Sequence, residues 1–187
     1  MDSSQYDAKC LGCDRSQGFD DTPGGIVKLA GDWVVNQYCG EEGFLGWLAL
    51  QPRYHRMALS QLTLEEAQTL GPNIKALDAA LCGYWSHDFP DDPIDRVYVV
   101  YFFESEFTEP RKEKDFHLHV HLIPRFRSLA RALSRTKDNV TWNDGWRIPC
   151  LKDNGAIPEP YQLKAENRVI RATSVMNYIR NECAIRP

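Results

Sequence analysis

The stretch FHLHVHLIPR at residues 116–125 constrains the fold more than any other part of the sequence. Histidine occupies every second position from His117 to His121, and these three are most of the chain's 5 histidines. Because side chains alternate between the two faces of a strand, the pattern predicts a strand with all three imidazoles on one face. The apolar residues beside them then point the other way, into a core: Phe116, Leu118, Val120 and Leu122.

Three imidazoles on one strand face indicate chemistry rather than a solvated polar surface. Neighbouring rings on such a face lie about 6.5–7 Å apart. Near neutral pH, imidazole can act as a nucleophile, a proton donor or a metal ligand. The spacing by itself leaves these three roles open for each ring.

Further strands are indicated by β-branched and aromatic runs. IVKLA and DWVVNQY predict a hairpin, and RVYVVYFF at 96–103 predicts the strongest strand of the chain. FLGWLALQP at 44–52 predicts a strand that ends at Pro52, and the histidine strand is expected to end at Pro124. The segment 128–160 mixes basic residues, tryptophans and loop formers, and no element is predicted there.

Two helices complete the pattern. Residues 63–81 repeat apolar side chains at steps of three and four, and Thr63 and Glu66 have the spacing of a capping box. Gly71-Pro72 is expected to kink or restart this helix. Residues 163–181 carry a second helical pattern. The order of elements predicts an α+β protein, with an antiparallel sheet of about five strands and a helix packed on it.

Composition narrows the class of protein. The chain has 187 residues, enough for a core without disulfides, and a formal net charge of −4, which gives no general attraction to nucleic acid or anionic membranes. No apolar run is long enough to span a bilayer. The first residues show no secretory signal, so the 6 cysteines are interpreted as reduced thiols or metal ligands in a cytoplasmic protein.

The residues around the three histidines resemble the histidine triad (HIT) superfamily. His-Leu-His-Val-His-Leu-Ile matches its pattern, followed here by Pro124-Arg125, and FLGWLALQPRYHRMALSQLTLEEAQTL is similar to the strand and helix that precede the triad in many members. The resemblance covers roughly residues 10–127. It implies a HIT-like antiparallel sheet in a domain of residues 1–127, with residues 128–187 as a C-terminal extension that contains a helix and packs on the same domain.

The resemblance also implies an activity. Members are nucleotide hydrolases or nucleotidyl transferases that attack an α-phosphate, as in phosphoramidates or dinucleoside polyphosphates. The middle histidine, here His119, is the nucleophile and forms a nucleotidyl-histidine intermediate. The third, here His121, lies near the phosphate and supports the reaction by hydrogen bonding. A neutral imidazole attacks well when its far nitrogen is hydrogen-bonded and its tautomer is fixed.

A structural zinc ion is implied by the zinc-binding branch of the same family. Cys10 and Cys13 form a Cys-x-x-Cys motif, which taken alone also fits a redox pair. The branch adds a histidine at the position of His55 and the first triad histidine, His117. Four protein ligands leave no open position for water, so this zinc would not be the catalyst. No organic cofactor is expected.

The loop before the triad departs from the family. Glu113 stands where glutamine is common in the family, and its carboxylate would repel a phosphate. The basic residues nearby are the candidate phosphate contacts that offset it, above all Lys114 and Arg125. A solvated charged loop is the other interpretation of this run.

Two other functions compete with the triad enzyme. In one, the three histidines hold a catalytic metal that activates water. In the other, the chain binds nucleotides with little or no turnover, as the altered loop around Glu113 suggests. The expected partner is a nucleotide or nucleotide conjugate, with no membrane and no nucleic acid. Many triad proteins dimerise, which leaves a homodimer open.

Overall fold

The computed structural model describes residues 6–7, 10–19, 22–38, 43–101, 116–135 and 157–183. Within these ranges the chain forms five strands and four α-helices. Their bounds in chain order are α1 Leu11–Gln17, β1 Ile26–Leu29, β2 Trp33–Gln37, β3 Leu48–Pro52, α2 Leu64–Asp88, β4 Ile94–Tyr101, β5 Val120–Phe126, α3 Arg127–Arg135 and α4 Arg168–Cys183. No helix of this described part is long and apolar enough to cross a membrane.

All five strands belong to one sheet. Their order is β1-β2-β3-β5-β4, and every neighbouring pair is antiparallel. This confirms the predicted α+β class and the predicted number of strands. The hairpin of β1 and β2 is also confirmed, and it turns through Gly31 and Asp32, which both have positive φ.

The histidine strand is shorter at its start than predicted. Strand β5 begins at Val120, so residues 116–119 lie ahead of the ladder. Strict alternation therefore does not extend to Phe116, whose half-buried ring lies 5.9 Å from that of His119 instead of pointing into the core. Leu118, Val120 and Leu122 are buried in the core, as predicted.

The predicted end of that strand at Pro124 is wrong as well, because β5 continues to Phe126. Pairing with β3 stops at Leu122, whereas pairing with β4 continues past Pro124, which lies opposite Val97. Pro124 therefore sits where β5 has a partner on one side only. A residue without an N–H is tolerated at such a position.

Strand β3 starts later than predicted and ends where predicted, at Pro52. Residues 44–47 form a turn in which Gly46 has a φ of 82°. A Cβ at Gly46 would lie 2.6 Å from ring atoms of Trp85, so both the conformation and the close approach require glycine. The turn is what places Trp47 directly before β3.

Helices α2 and α4 pack against each other and against one face of the sheet. The capping box predicted for α2 is confirmed, with the side chain of Thr63 accepting from the backbone N–H of Glu66 and the reverse bond also present. Of the kink or restart predicted at Gly71-Pro72, the restart does not occur, because α2 runs unbroken from Leu64 to Asp88. Proline has no N–H, so one backbone carbonyl in the preceding turn of α2 lacks its helical donor. Because Pro72 is exposed, this carbonyl lies on the solvent side of the helix.

Two further elements follow the sheet. Helix α3 lies in the segment where no element was predicted, and the carboxylate of Asp92 accepts from the backbone N–H of Ser128 in its first turn. Helix α4 confirms the second helical pattern, and its buried residues Ala172, Val175, Met176 and Ile179 lie against the rest of the fold. Three of these four belong to the same core cluster as β1 to β3.

Candidate active site and metal centre

Four side chains converge where α1 meets the end of β3. The ligand atoms of Cys10, Cys13, His55 and His117 all lie within 4.8 Å of one another. The Sγ of Cys13 lies 3.3 Å from Nδ1 of His55 and 3.5 Å from Nδ1 of His117, and the Sγ of Cys10 lies 3.7 Å from Nδ1 of His117. The structure thus brings together the four residues predicted as metal ligands.

These separations match a tetrahedral metal site. Metal–sulfur bonds of about 2.3 Å and metal–nitrogen bonds of about 2.0–2.1 Å place sulfur and nitrogen about 3.6 Å apart around a tetrahedral ion. The observed 3.3–3.7 Å spans that value. The cluster could therefore hold a metal ion.

Hydrogen bonds to backbone carbonyls fix the positions of the segments that carry these four residues. The backbone N–H of Leu118 donates to the carbonyl of Arg56 at 2.7 Å, which ties the residues before β5 to those after β3. The hydroxyl of Ser16, in α1, donates to the carbonyl of Arg53 at 2.8 Å. Helix α1 is thereby fixed over the end of β3, with Cys13 buried on its inner side.

The tautomer of His117 suits metal binding. Its Nε2 lies 2.8 Å from the carbonyl oxygen of Pro52. A carbonyl only accepts, so Nε2 carries the proton and donates it, and Nδ1 keeps its lone pair. That lone pair lies on the atom nearest the two sulfurs. A backbone carbonyl behind a ligating histidine is a common way to orient the ring.

The two thiols share a proton. A hydrogen bond from Cys13 lowers the pKa of Cys10, which favours the thiolate form of Cys10. The same contact raises the pKa of Cys13, because a second thiolate beside the first is unfavourable. Thiolate is the form that binds metal, and a bound cation would displace the remaining proton.

His119 is half-buried and has a fixed tautomer. Its Nδ1 lies 2.8 Å from the carbonyl oxygen of His117, so Nδ1 carries the proton of the neutral ring and donates it. The lone pair of the neutral ring is therefore on Nε2. This is the arrangement that a nucleophilic imidazole needs, with the far nitrogen hydrogen-bonded.

His121 lies beside it in the opposite tautomer. The indole Nε1 of Trp47 donates to Nδ1 of His121 at 2.9 Å, so the neutral His121 ring carries its proton on Nε2. The ring is 3% exposed and meets that of His119 nearly at right angles, with centroids 4.7 Å apart. Burial, with a smaller contribution from His119, lowers the pKa of His121 to about 3, so it stays neutral.

Aromatic side chains enclose the buried ring. Tyr38, at the end of β2, lies edge-on to His121 at 5.0 Å and packs on Trp47 at the same distance. Tyr38, Trp47 and His121 belong to three different strands or strand ends, which the β2–β3–β5 order makes neighbours. A neutral His121 surrounded by apolar rings is suited to donating a hydrogen bond in a low-dielectric site.

Arg125 lies away from the two catalytic candidates. It is four residues beyond His121 along β5, or about 13 Å at the rise of a strand. Its guanidinium pairs with Asp95 on β4, beside a cavity of about 360 Å³ that Arg127 also lines. Lys114, the other candidate phosphate contact, and Glu113 beside it lie outside the described residues.

The three-histidine metal site receives no geometric support in the described part of the chain. The only group of converging ligands there takes in His117 and excludes His119 and His121. His119 and His121 instead use their Nδ1 atoms in other hydrogen bonds. His117 thus belongs to the Cys/His cluster, whereas the rings of His119 and His121 contact each other.

Sequence reasoning missed Trp47 and Tyr38. Their role depends on which residue of β3 faces which residue of β5, and the register places Ala49 opposite His121. With that register, alternation puts Trp47, two residues earlier, on the face of His121. The strand pairing is not encoded in any local motif, so the sequence offered no direct signal.

Comparisons with known proteins add little to this geometry. No protein-family model matches the chain, and a comparison with curated proteins finds no significant match. Among solved structures, the chain is similar to the crystal structure of SMU.412c from Streptococcus mutans UA159, at 19% sequence identity, over 81% of this chain and 85% of that one, with a TM-score of 0.49. The fold and site define an α+β protein with a Cys/His cluster able to hold a metal.

Proposed function

We propose that this chain is a histidine triad enzyme that attacks the α-phosphate of a nucleotide conjugate with Nε2 of His119. The observation that carries the proposal is the 2.8 Å hydrogen bond from Nδ1 of His119 to the carbonyl of His117. In the neutral form of this partly buried ring, the bond leaves the lone pair on Nε2, the atom that would attack. The triad pattern in the sequence supports the same role.

The reaction balances in two steps. In the first, the Nε2 lone pair forms a bond to phosphorus, and the bond to the leaving group breaks with its electron pair on that group. In the second, water or another acceptor attacks phosphorus, and the electron pair of the P–N bond returns to Nε2. Water as acceptor gives a nucleoside monophosphate and releases a proton, and another acceptor makes the enzyme a transferase.

Charge develops on the phosphoryl oxygens in both steps and needs nearby donors. His121 is the candidate in the described part of the chain, because its proton is on Nε2 and its ring adjoins that of His119. Arg125 and Lys114 remain proposed contacts to more distant phosphates. The substrate classes that fit are nucleoside phosphoramidates and dinucleoside polyphosphates.

We also propose that the metal is zinc. Two thiolates and two imidazoles in a tetrahedron are a ligand set typical of structural zinc. With four protein ligands the ion would have no position open to substrate. Its contribution would be structural, holding α1 and residues 116–119 against the end of β3. The backbone carbonyl of His117 would thereby be fixed as the acceptor for His119.

The test of the function is a substrate panel with mass spectrometry of the acid-sensitive adduct after a rapid alkaline quench. We expect a nucleotidyl adduct on His119 with at least one nucleoside 5′-phosphoramidate or dinucleoside polyphosphate. His119→Ala should abolish both adduct and turnover, whereas His87→Ala, an exposed histidine at the end of α2, should retain both. Turnover by His119→Ala at the wild-type rate would refute the proposal.

Tight nucleotide binding without adduct or turnover across the panel would favour the competing function, a nucleotide-binding protein. Loss of turnover on chelation, with an unchanged fold, would favour a catalytic metal instead. The metal itself is tested by elemental analysis of the purified chain, for which we expect one zinc per chain. A fully stable protein free of metal would contradict the zinc assignment.

A further inference from the structure

We infer that Trp47 is a positioning residue that fixes the tautomer of His121 and so makes His121 a permanent hydrogen-bond donor to the reacting phosphate. The inference rests on the proposed function for its catalytic part. The part that concerns the tautomer depends only on the contact between Trp47 and His121. Trp47 acts through His121 and does not itself touch the reacting atoms.

The direction of the hydrogen bond is set by chemistry. Indole Nε1 carries one hydrogen and has no lone pair to accept with. The 2.9 Å contact to Nδ1 of His121 therefore has one possible polarity, with Trp47 as donor. A serine, asparagine or histidine at position 47 would allow the polarity to reverse, and the His121 proton could then move to Nδ1.

The position of the indole is set by its backbone. The carbonyl of Trp47 accepts from the backbone N–H of Tyr38 at 2.7 Å and from the Gln37 side-chain amide at 2.9 Å. The backbone N–H of Trp47 donates to the carbonyl of Phe44 at 3.0 Å. Tyr38 and Phe44 also pack against the indole ring, at centroid distances of 5.0 and 5.5 Å.

Burial makes the contact selective between tautomers. Both side chains are 3% exposed, so water cannot readily replace either partner. If the His121 proton moved to Nδ1, two N–H groups would face each other and both would be left unsatisfied in the interior. The Nε2–H tautomer is therefore favoured throughout a reaction cycle.

In the reaction, His119 and His121 would then have different roles. His119 changes its bonding at Nε2 as the adduct forms and breaks, whereas His121 keeps its proton on Nε2. A donor already oriented before the reaction needs no reorganisation as charge develops. Proton transfer to the leaving group would then have to come from water or another group.

The first measurement is the tautomer of His121 by ¹⁵N NMR of the zinc-loaded full chain with labelled histidine. We expect a protonated-type shift at Nε2 and an unprotonated-type shift at Nδ1 in the wild type. Trp47→Phe should yield a mixture of both tautomers. The matched control is Trp33→Phe, because Trp33 is also buried and its indole also donates at 2.9 Å, but to the carbonyl of Glu66. That variant should keep the wild-type pattern.

The second measurement is the rate of adduct formation on His119 with adenosine 5′-phosphoramidate. Trp47→Phe should slow it about tenfold, the equivalent of one net hydrogen bond, and Trp33→Phe should not. Replacement of Trp47 by 3-benzothienylalanine, which keeps the ring shape and lacks the N–H, separates the lost donor from a packing defect. It should reproduce the effect of Trp47→Phe on both tautomer and rate.

Two results would overturn the inference. A pure Nε2–H tautomer in the benzothienyl variant would show that the indole donor does not fix the ring. A mixed tautomer with an unchanged adduct rate would show that fixing it does not matter for the reaction. An absence of adduct in the wild type would instead refute the proposed function and the catalytic part, while the NMR shifts would still decide the part that concerns the tautomer.

Discussion

At the scale of single residues, the three histidines differ in tautomer because their hydrogen-bond partners differ. The carbonyls of Pro52 and His117 fix the protons of His117 and His119 on opposite ring nitrogens, and an indole fixes that of His121. The sequence predicted functional roles for all three rings. It did not predict their tautomers, because the three partners come from other segments or from the local backbone path.

The buried ring of His121 leads to a prediction about stability and pH. Its pKa is about 3 in the folded chain, below the ordinary value of 6.5 that applies when the chain unfolds. Between these values the unfolded chain binds the extra proton, so the free energy of unfolding should fall as pH decreases from about 6.5 towards 3. The slope from this group approaches about 1.4 kcal/mol per pH unit.

The measurement is a series of denaturant titrations between pH 7 and 4.5 on the wild type and on His121→Gln. Glutamine does not titrate, and its carbonyl can still accept from the indole of Trp47. We expect the variant to lose stability less steeply on acidification, since other titrating groups, such as those of the Cys/His cluster, contribute equally to both curves. Parallel curves would contradict the assigned pKa.

At the scale of secondary-structure elements, local chemistry and long-range pairing were predicted with different success. The capping box of α2 was correct because it is a contact between residues three apart. The start of β5 was wrong because pairing with β3 and β4, not the alternating pattern of residues 116–119, decides where the ladder begins.

Helix α3 was missed for a related reason. It is nine residues long. The carboxylate of Asp92, which lies 36 positions before Ser128 in the chain, accepts a hydrogen bond from the Ser128 backbone N–H in its first turn. Such a distant cap leaves no local signature. By contrast, the hairpin of β1 and β2 was predicted correctly, since a single turn determines its pairing.

The cap of α2 gives a prediction for this scale. Thr63→Ala removes the acceptor for the backbone N–H of Glu66 and should lower the free energy of unfolding by about 1 kcal/mol. Denaturant titration with an unchanged m-value would measure it. Ser86→Ala in the same helix is the control, because its hydroxyl donates to the carbonyl of Cys82, four residues before, and caps no helix end.

We expect Ser86→Ala to change stability by less than about 0.5 kcal/mol. An equal loss in both variants would mean that the cap contributes no more than an ordinary hydroxyl. A loss well above 2 kcal/mol in Thr63→Ala would point to a wider role for the buried Glu66, which also pairs with Arg56 at 3.0 Å.

At the scale of the whole molecule, the Cys/His cluster joins parts of the chain that the sheet alone does not join. Removal of the proposed zinc should therefore release α1 while the sheet and α2 stay folded. We expect chelation or Cys13→Ser to expose α1 to limited proteolysis and to lower the melting temperature. A metal present at 1,000 times its dissociation constant stabilises by about 4 kcal/mol.

The control for this prediction is Cys82→Ser, which alters a partly buried thiol outside the cluster. It should leave metal content and the cleavage pattern unchanged. Rapid cleavage in both variants, or in neither, would contradict a role for the cluster in holding α1. The convergence of the four side chains was predicted correctly, because the motif pattern behind the prediction relates positions far apart in the sequence, which local periodicity does not.

The separation of these ligands along the sequence has a consequence for how the protein is made. Cys13 and His117 are 104 positions apart, so a ribosome exposes both cysteines and His55 well before the last ligand emerges. An ion captured by the nascent chain would meet an incomplete set of donors and exchange readily. The complete set of four ligands for the proposed zinc is therefore available only when more than half of the polypeptide has been synthesised.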